Sequence, residues 1–154
     1  MEKLKKGDVA PVFTFTDQEG NTRSLNDFLG KKVILYFYPK DNTPGCTLEA
    51  CSLRDSYDDL RGMGFEVIGV SADSAKSHET FKTKFNLPFA LVSDTDKSVL
   101  TAYGVWGEKK FMGKSFMGII RTTFVIDDTG LIANIIDKVN TKDHAKQIMQ
   151  LIEM

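Results

Sequence analysis

Two cysteines stand five residues apart at Cys46 and Cys51 in a chain of 154 residues. Cys46 follows Pro-Lys-Asp-Asn-Thr-Pro-Gly, where an apolar run ends and a helical pattern begins, so its sulfur is expected in the first turn of a helix. Unpaired backbone N–H groups and the positive end of the helix macrodipole favour an anion there, and a thiolate is the reactive form of cysteine. Helix-end electrostatics of about 0.3–1 kcal/mol do not ionise a thiol fully at neutral pH, so a further hydrogen bond or a cation is required. Thr43, three residues upstream, is placed to turn its hydroxyl toward the sulfur, and an arginine is the better cation because it stays charged when partly buried. Free cysteine is also among the most buried residue types, so composition alone leaves open a plain packing role for Cys46. The second cysteine breaks the tie. At about 100° per residue Cys51 lies roughly 140° around the helix from Cys46, on the side of Arg54, Asp55 and Asp58. It belongs to the solvent side of that helix.

The elements that must hold this pair follow from periodicity. Val33 to Tyr38 is a continuous apolar run ended by Pro39, the pattern of a strand buried on both faces. Cys46, Ala50, Leu53, Tyr57 and Leu60 recur at intervals of three and four, which predicts one amphipathic helix from Cys46 to Leu60. Phe65 to Ser71 reads as a second buried strand. Asp73 or Ser74 caps a helix carrying His78, Phe81 and Phe85, and Ala90 to Val92 reads as a further strand, with a helix over Asp96 to Tyr103. Val12 to Thr16, the turn Asp17-Gln18-Glu19-Gly20-Asn21 and a second extended piece form an N-terminal hairpin, followed by a helical turn framed by Ser24, Asp27 and Gly30. Gly104 to Gly118, rich in Gly, Met and Phe without clear periodicity, reads as a loop. Thr122 to Ile126 and Leu131 to Ile136 flank Asp-Asp-Thr-Gly as a hairpin, and Thr141 opens a last helix bearing Ile148, Leu151 and Ile152. The order is α/β with parallel crossovers early in the sheet and matches a thioredoxin-like fold, with the N-terminal hairpin as an addition and the segment from Ala90 to Tyr103 as an inserted strand and helix.

Composition restricts the function classes. With 42% hydrophobic and 27% charged residues the chain has ordinary globular usage, and one domain over residues 1–154 is expected. A net charge of −1 gives no field for nucleic acid or an anionic membrane, and no apolar run is long enough to span a bilayer. Two cysteines in a domain this large do not make a disulfide scaffold. The expectation is a cytoplasmic protein whose cysteine pair is chemical rather than structural, with no metal, since His78 and His144 are the only histidines and lie far from it in sequence. Both histidines share helical faces with apolar residues and read as packed or boundary residues. Trp106, Phe111, Met112, Phe116 and Met117 read either as core filling or as a hydrophobic rim or docking patch. The acidic cluster Asp55, Asp58 and Asp59 reads as a solvated helix face.

PKDNTPGC reproduces the pattern P-x-x-x-T-x-x-C of the peroxiredoxins, and TLEAC, with a second cysteine at C-x4-C, resembles the bacterioferritin-comigratory-protein or Q branch. The resemblance continues through SLRDSY, FEVIGVSAD, Ser93-Asp94, YGVWGEKKFMGK and RTTFVID. It implies a thiol peroxidase in which Cys46 is the peroxidatic cysteine, Thr43 hydrogen-bonds sulfur and peroxide, Pro39 limits water access and Arg121 is the guanidinium. Glu49 stands where many relatives have an acid that orients an arginine, and Gly45 is placed with it as a substrate-binding or orienting residue. Many peroxiredoxins have Pro directly after the peroxidatic cysteine, whereas this chain has Thr47, as is common in this branch. The implied cycle is attack on hydrogen peroxide or an organic hydroperoxide, a Cys46 sulfenic acid, an intramolecular Cys46–Cys51 disulfide, and reduction by thioredoxin or a similar dithiol. It requires no cofactor, and the branch implies a monomer. A thioredoxin-like carrier is a competing reading, though the chain lacks C-x-x-C at a helix start; another is a redox-sensing or chaperone-like module.

Overall fold

A computed structural model of the chain describes residues 4–17 and 19–152. Gln18, in the expected first turn, lies outside the described residues, as does the side chain of Phe111.

The core is a five-stranded sheet built from β3 (Lys32–Phe37), β4 (Phe65–Ser71), β5 (Ala90–Ser93), β8 (Thr122–Ile126) and β9 (Ile132–Ile136), in the order β5-β4-β3-β8-β9. The pairs β3–β4 and β4–β5 are parallel, and β3–β8 and β8–β9 antiparallel, the mixed order expected of a thioredoxin-like sheet. The central strand β3 reads as an unbroken apolar run because both of its faces are covered. Val33, Leu35 and Phe37 enter one core with Phe15, Leu25, Val99 and Leu100, while Ile34, Tyr36 and Tyr38 enter the other with Cys46, Ala50, Leu53, Phe81 and Ile148.

The second core is roofed by α1 (Pro44–Asp55), α2 (Tyr57–Gly62), α3 (Ala75–Phe85) and α5 (His144–Ile152). The first is covered by the hairpin β1 (Thr14–Thr16) and β2 (Thr22–Ser24), the 3-10 turn Leu25–Phe28 and α4 (Ser98–Ala102). Ser24 and Asp27 form the reciprocal cap of the 3-10 turn, and the Ser74 hydroxyl accepts the Ser77 amide at the start of α3.

Three expectations are corrected. The single helix from Cys46 to Leu60 is two helices, because Ser56 takes φ −105°, ψ 9° after Asp55, a pair of residues that compete poorly for helix; the apolar stripe nevertheless stays buried across the break. The last helix opens at His144 rather than Thr141, since the Asn140 side chain accepts the Lys142 amide and holds that stretch in a turn. The stretch from Gly104 to Gly118 is not a loop but a hairpin of β6 (Trp106–Phe111) and β7 (Lys114–Ile119), reversed by Met112 and Gly113 at φ 52° and 79°. β7 is exposed through Met117, so no buried face imposes an alternation on its sequence.

Candidate active site

The strand β3 delivers the chain into a loop, residues 38 to 43, that is held from several sides before it enters α1. Asp41 is its anchor. The Tyr38 hydroxyl donates to Asp41 Oδ1 at 2.6 Å, the Ser77 hydroxyl donates to Oδ2 at 2.8 Å, and the Asp41 amide donates to Asp73 Oδ2 at 2.8 Å. His78 Nδ1 meets Asp41 Oδ2 at 2.7 Å and its Nε2 meets the Val92 carbonyl at 2.9 Å, so the ring joins loop, α3 and β5. Burial pushes the Asp41 carboxyl up, but the hydrogen bonds from His78 and Tyr38 outweigh it and leave the group below its ordinary value. Asp41, Asp73 and His78 bring potential ligand atoms within 4.8 Å of one another, yet these atoms already hold the hydrogen bonds just named, which makes the cluster a brace.

Thr43 is the N-cap of α1 and Pro44 fills the first helical position, where a missing N–H costs nothing. Cys46 sits in that first turn with 1% of its surface exposed, and the Gly45 and Cys46 amides precede the first helical donor, Thr47, which bonds the Thr43 carbonyl at 2.8 Å. Arg121, in the two-residue link between β7 and β8, reaches across to this turn. Its Nη2 donates to Cys46 Sγ at 3.2 Å and its Nη1 to Glu49 Oε1 at 2.6 Å. A planar fork thus spans sulfur and carboxylate. Glu49, one turn after Cys46 on the same face, is fully buried, and that burial raises its carboxyl to about 7 against the opposing pull of Arg121. Arg121, although partly buried, is held above its usual value by Cys46 and Glu49, so the guanidinium remains charged.

Of the residues singled out in the sequence, the structure brings Cys46, Arg121, Glu49 and Gly45 together. A Cβ on Gly45 would stand 3.4 Å from Arg121 Nη2, so the absence of a side chain leaves that nitrogen room beside the helix turn. Pro39 lies half-buried in the loop. Thr43 departs from expectation: its hydroxyl donates to the Lys40 carbonyl at 2.9 Å and not to the sulfur, because the cap leaves its side chain turned back into the loop. Cys51 is half-buried and, like Cys46, a free thiol. The sequence did not reveal that His78 braces the loop, nor that His144, fully buried at the start of α5, comes within 3.5 Å of Glu49 Oε2. A histidine on an apolar face gives no signal of the polar atom it meets. Beside the site, Leu48 and Ile120 are exposed apolar side chains, as are Phe116 and Met117 farther along β7.

The chain as a whole is similar to known proteins. The model of the AhpC/TSA family matches residues 6–135. The putative peroxiredoxin bcp of Coxiella burnetii is 49% identical over 146 residues, covering 95% of this chain and 97% of that protein, and the peroxiredoxin Bcp of Escherichia coli is 44% identical over 153 residues, covering 99% and 98%. Among solved structures, a cysteine-to-serine mutant of Xylella fastidiosa PrxQ superimposes with a TM-score of 0.91 at 30% identity, covering 99% of this chain and 98% of that one. The bacterioferritin comigratory protein of Xanthomonas campestris, described with alkyl peroxide reduction activity, gives a TM-score of 0.85 at 33% identity, covering 92% and 89%. The chain belongs to the AhpC/TSA family and, within it, to the Bcp/PrxQ peroxiredoxins.

Proposed function

We propose that this thiol peroxidase works through Cys46 as nucleophile and Cys51 as resolving thiol. The observation that carries the reading is the Arg121 fork, which places one N–H on Cys46 Sγ and the other on Glu49 at the open end of α1. The guanidinium and the unpaired first-turn amides surround that sulfur with donors, and the thiolate is the nucleophile. Its lone pair attacks the terminal oxygen of R–O–OH; an S–O bond forms, the O–O bond breaks, and the electron pair leaves with RO⁻, which takes a proton from water to become ROH. The same donors stabilise charge spreading over the two oxygens. The Cys51 thiol then displaces hydroxide from the Cys46 sulfenic acid, water is lost, and a disulfide remains for an external dithiol of the thioredoxin type to reduce.

Organic hydroperoxides are included among the substrates because exposed Leu48 and Ile120 flank the residues of the site and can cover an alkyl group. Two cysteines in a domain with a core of its own do not make a disulfide scaffold, which supports a cytoplasmic site of action, and the branch supports a monomer. Among the described residues no helix is long and apolar enough to cross a membrane. The test is peroxide consumption by substoichiometric protein with reduced thioredoxin. Continuous turnover without any added peroxidase is expected. A single equivalent consumed points instead to a redox sensor, and dependence on a second peroxidase to a thiol carrier.

A further inference from the structure

Behind Arg121 the site continues into the protein interior. His144 has no exposed surface, and its ring is fixed by the turn before α5. Gln147 Nε2 donates to the Lys138 carbonyl at 2.9 Å, which sets the orientation of that amide, and Gln147 Oε1 accepts both the Asn140 amide at 2.9 Å and His144 Nδ1 at 2.9 Å. The ring hydrogen is therefore on Nδ1, and because burial lowers the ring to about 4 and keeps it neutral, Nε2 presents a lone pair. Two groups face that lone pair: the Thr123 hydroxyl at 2.8 Å and Glu49 Oε2 at 3.5 Å. Glu49 Oε2 is buried and has no hydrogen-bond partner among the described residues. A carboxylate oxygen turned toward a lone pair is unfavourable, and one proton between them converts the contact into a hydrogen bond.

The charges around Glu49 give that proton a function. Arg121 faces it from the β7–β8 link, Cys46 from the same helix, Tyr36 from β3 and His144 from α5. Tyr36 keeps its proton, since burial and then the Glu49 charge raise it well above its ordinary value. One guanidinium thus serves two potential anions, the Cys46 sulfur and the Glu49 carboxylate. We propose that His144 is a positioning residue of the peroxidatic site, holding a proton on Glu49 Oε2 through its Nε2 lone pair so that Arg121 gives its charge to the Cys46 thiolate. With Glu49 ionised, the Thr123 hydroxyl takes the lone pair instead, and the carboxylate competes with sulfur for the guanidinium. The burial that raises Glu49 to about 7 and lowers His144 to about 4 keeps the proton on the carboxyl side of the pair.

This inference rests on Cys46 being the reactive thiol, and its test reads that thiol without peroxide. In a Cys51→Ser background, Cys46 alkylation by iodoacetamide is followed by mass spectrometry across pH. His144→Phe removes the acceptor and His144→Gln offers Glu49 an N–H donor that favours the carboxylate. Both are expected to move the alkylation midpoint upward by about 0.5–1 pH unit, while Glu49→Gln, uncharged like the protonated acid, leaves it near that of the unsubstituted protein. In the Glu49→Gln background the His144 substitutions are expected to leave the midpoint alone. An unchanged midpoint in folded His144→Gln, or an equal shift with and without Glu49, overturns the proposal, as a purely structural histidine would give those results. Should neither His144 variant fold, the ring nitrogens of the otherwise unaltered Cys51→Ser protein decide by NMR: the Nε2 shift must change as Glu49 gives up its proton near pH 7, and an unchanging Nε2, or the same change in Glu49→Gln, overturns the proposal. Wild type that alkylates as expected yet fails to consume peroxide would refute the peroxidase reading separately.

Discussion

Forming the Cys46–Cys51 disulfide must take α1 apart at its beginning. Positions five apart on a helix rise about 7.5 Å and point about 140° away from one another, whereas bridged cysteines need Cα atoms within about 7 Å and converging Cβ vectors. Both residues lie inside α1, whose first helical bond is Thr47 N to Thr43 O at 2.8 Å. Bringing the sulfurs together releases the amides of residues 47–53, about seven bonds, at a net cost of roughly 0.5–1.5 kcal/mol each, so about 4–10 kcal/mol. That is a large part of the 5–15 kcal/mol that holds a typical domain together, and the opening must be confined. Leu53, fully buried, and the Ala145 amide donated to Ser52 Oγ at 3.1 Å mark where it meets resistance. Glu49 and Cys46 leave the Arg121 fork in the process, so the disulfide form lacks a peroxide site until it is reduced. Hydrogen exchange on the reduced and disulfide forms is the assay. Amides from Thr47 to Leu53 are expected to lose at least about 100-fold protection, and equal protection in the two forms would refute the geometric reasoning.

Arg121→Lys keeps the charge but cannot donate to Cys46 Sγ and Glu49 Oε1 at once; the peroxide step in stopped flow should slow by about tenfold or more, and a rate within about twofold of wild type excludes a role for the fork. Gly69→Ala puts a Cβ 2.8 Å from both Tyr36 Cζ and Leu91 Cδ2, in the core beneath the site, and should cost about 1–3 kcal/mol in denaturant unfolding; a neutral variant would mean that the Tyr36 ring moves aside freely. Asp41 is held below its ordinary value of 3.8, so it contributes stability that is present above that pH and is lost as pH falls through the lower, folded value. Asp41→Asn should therefore be less stable than wild type at neutral pH, and the gap should narrow below about pH 4; a gap independent of pH contradicts the assignment.

Legibility differed sharply across the molecule. β3 and β4 were readable because strands buried on both faces need apolar residues at every position, and the stripe Cys46, Ala50, Leu53, Tyr57, Leu60 survived even though the helix breaks at Ser56. The β6–β7 hairpin was not readable, because β7, exposed through Met117, carries no obligatory alternation and the turn at Met112 and Gly113 leaves no Asn-Gly signature. The helix-start position of Cys46 follows from local pattern alone, whereas Arg121 was reachable only by resemblance, being 75 residues away. The Thr43 hydroxyl went to the loop because an N-cap side chain has nearby backbone acceptors as well as the sulfur. Asp41–His78 and Glu49–His144 join residues distant in sequence whose neighbours are apolar, and neither pairing leaves a periodic trace.

The division of labour between the two cysteines is tested most directly by intact-mass measurement of the reduced protein after one equivalent of peroxide, in wild type, Cys46→Ser and Cys51→Ser. Wild type should become about 2 Da lighter as the disulfide forms, Cys51→Ser about 16 Da heavier as Cys46 takes one oxygen, and Cys46→Ser should not change. Rapid oxidation of Cys46→Ser, or wild type that turns over peroxide without passing through the lighter species, would contradict the account.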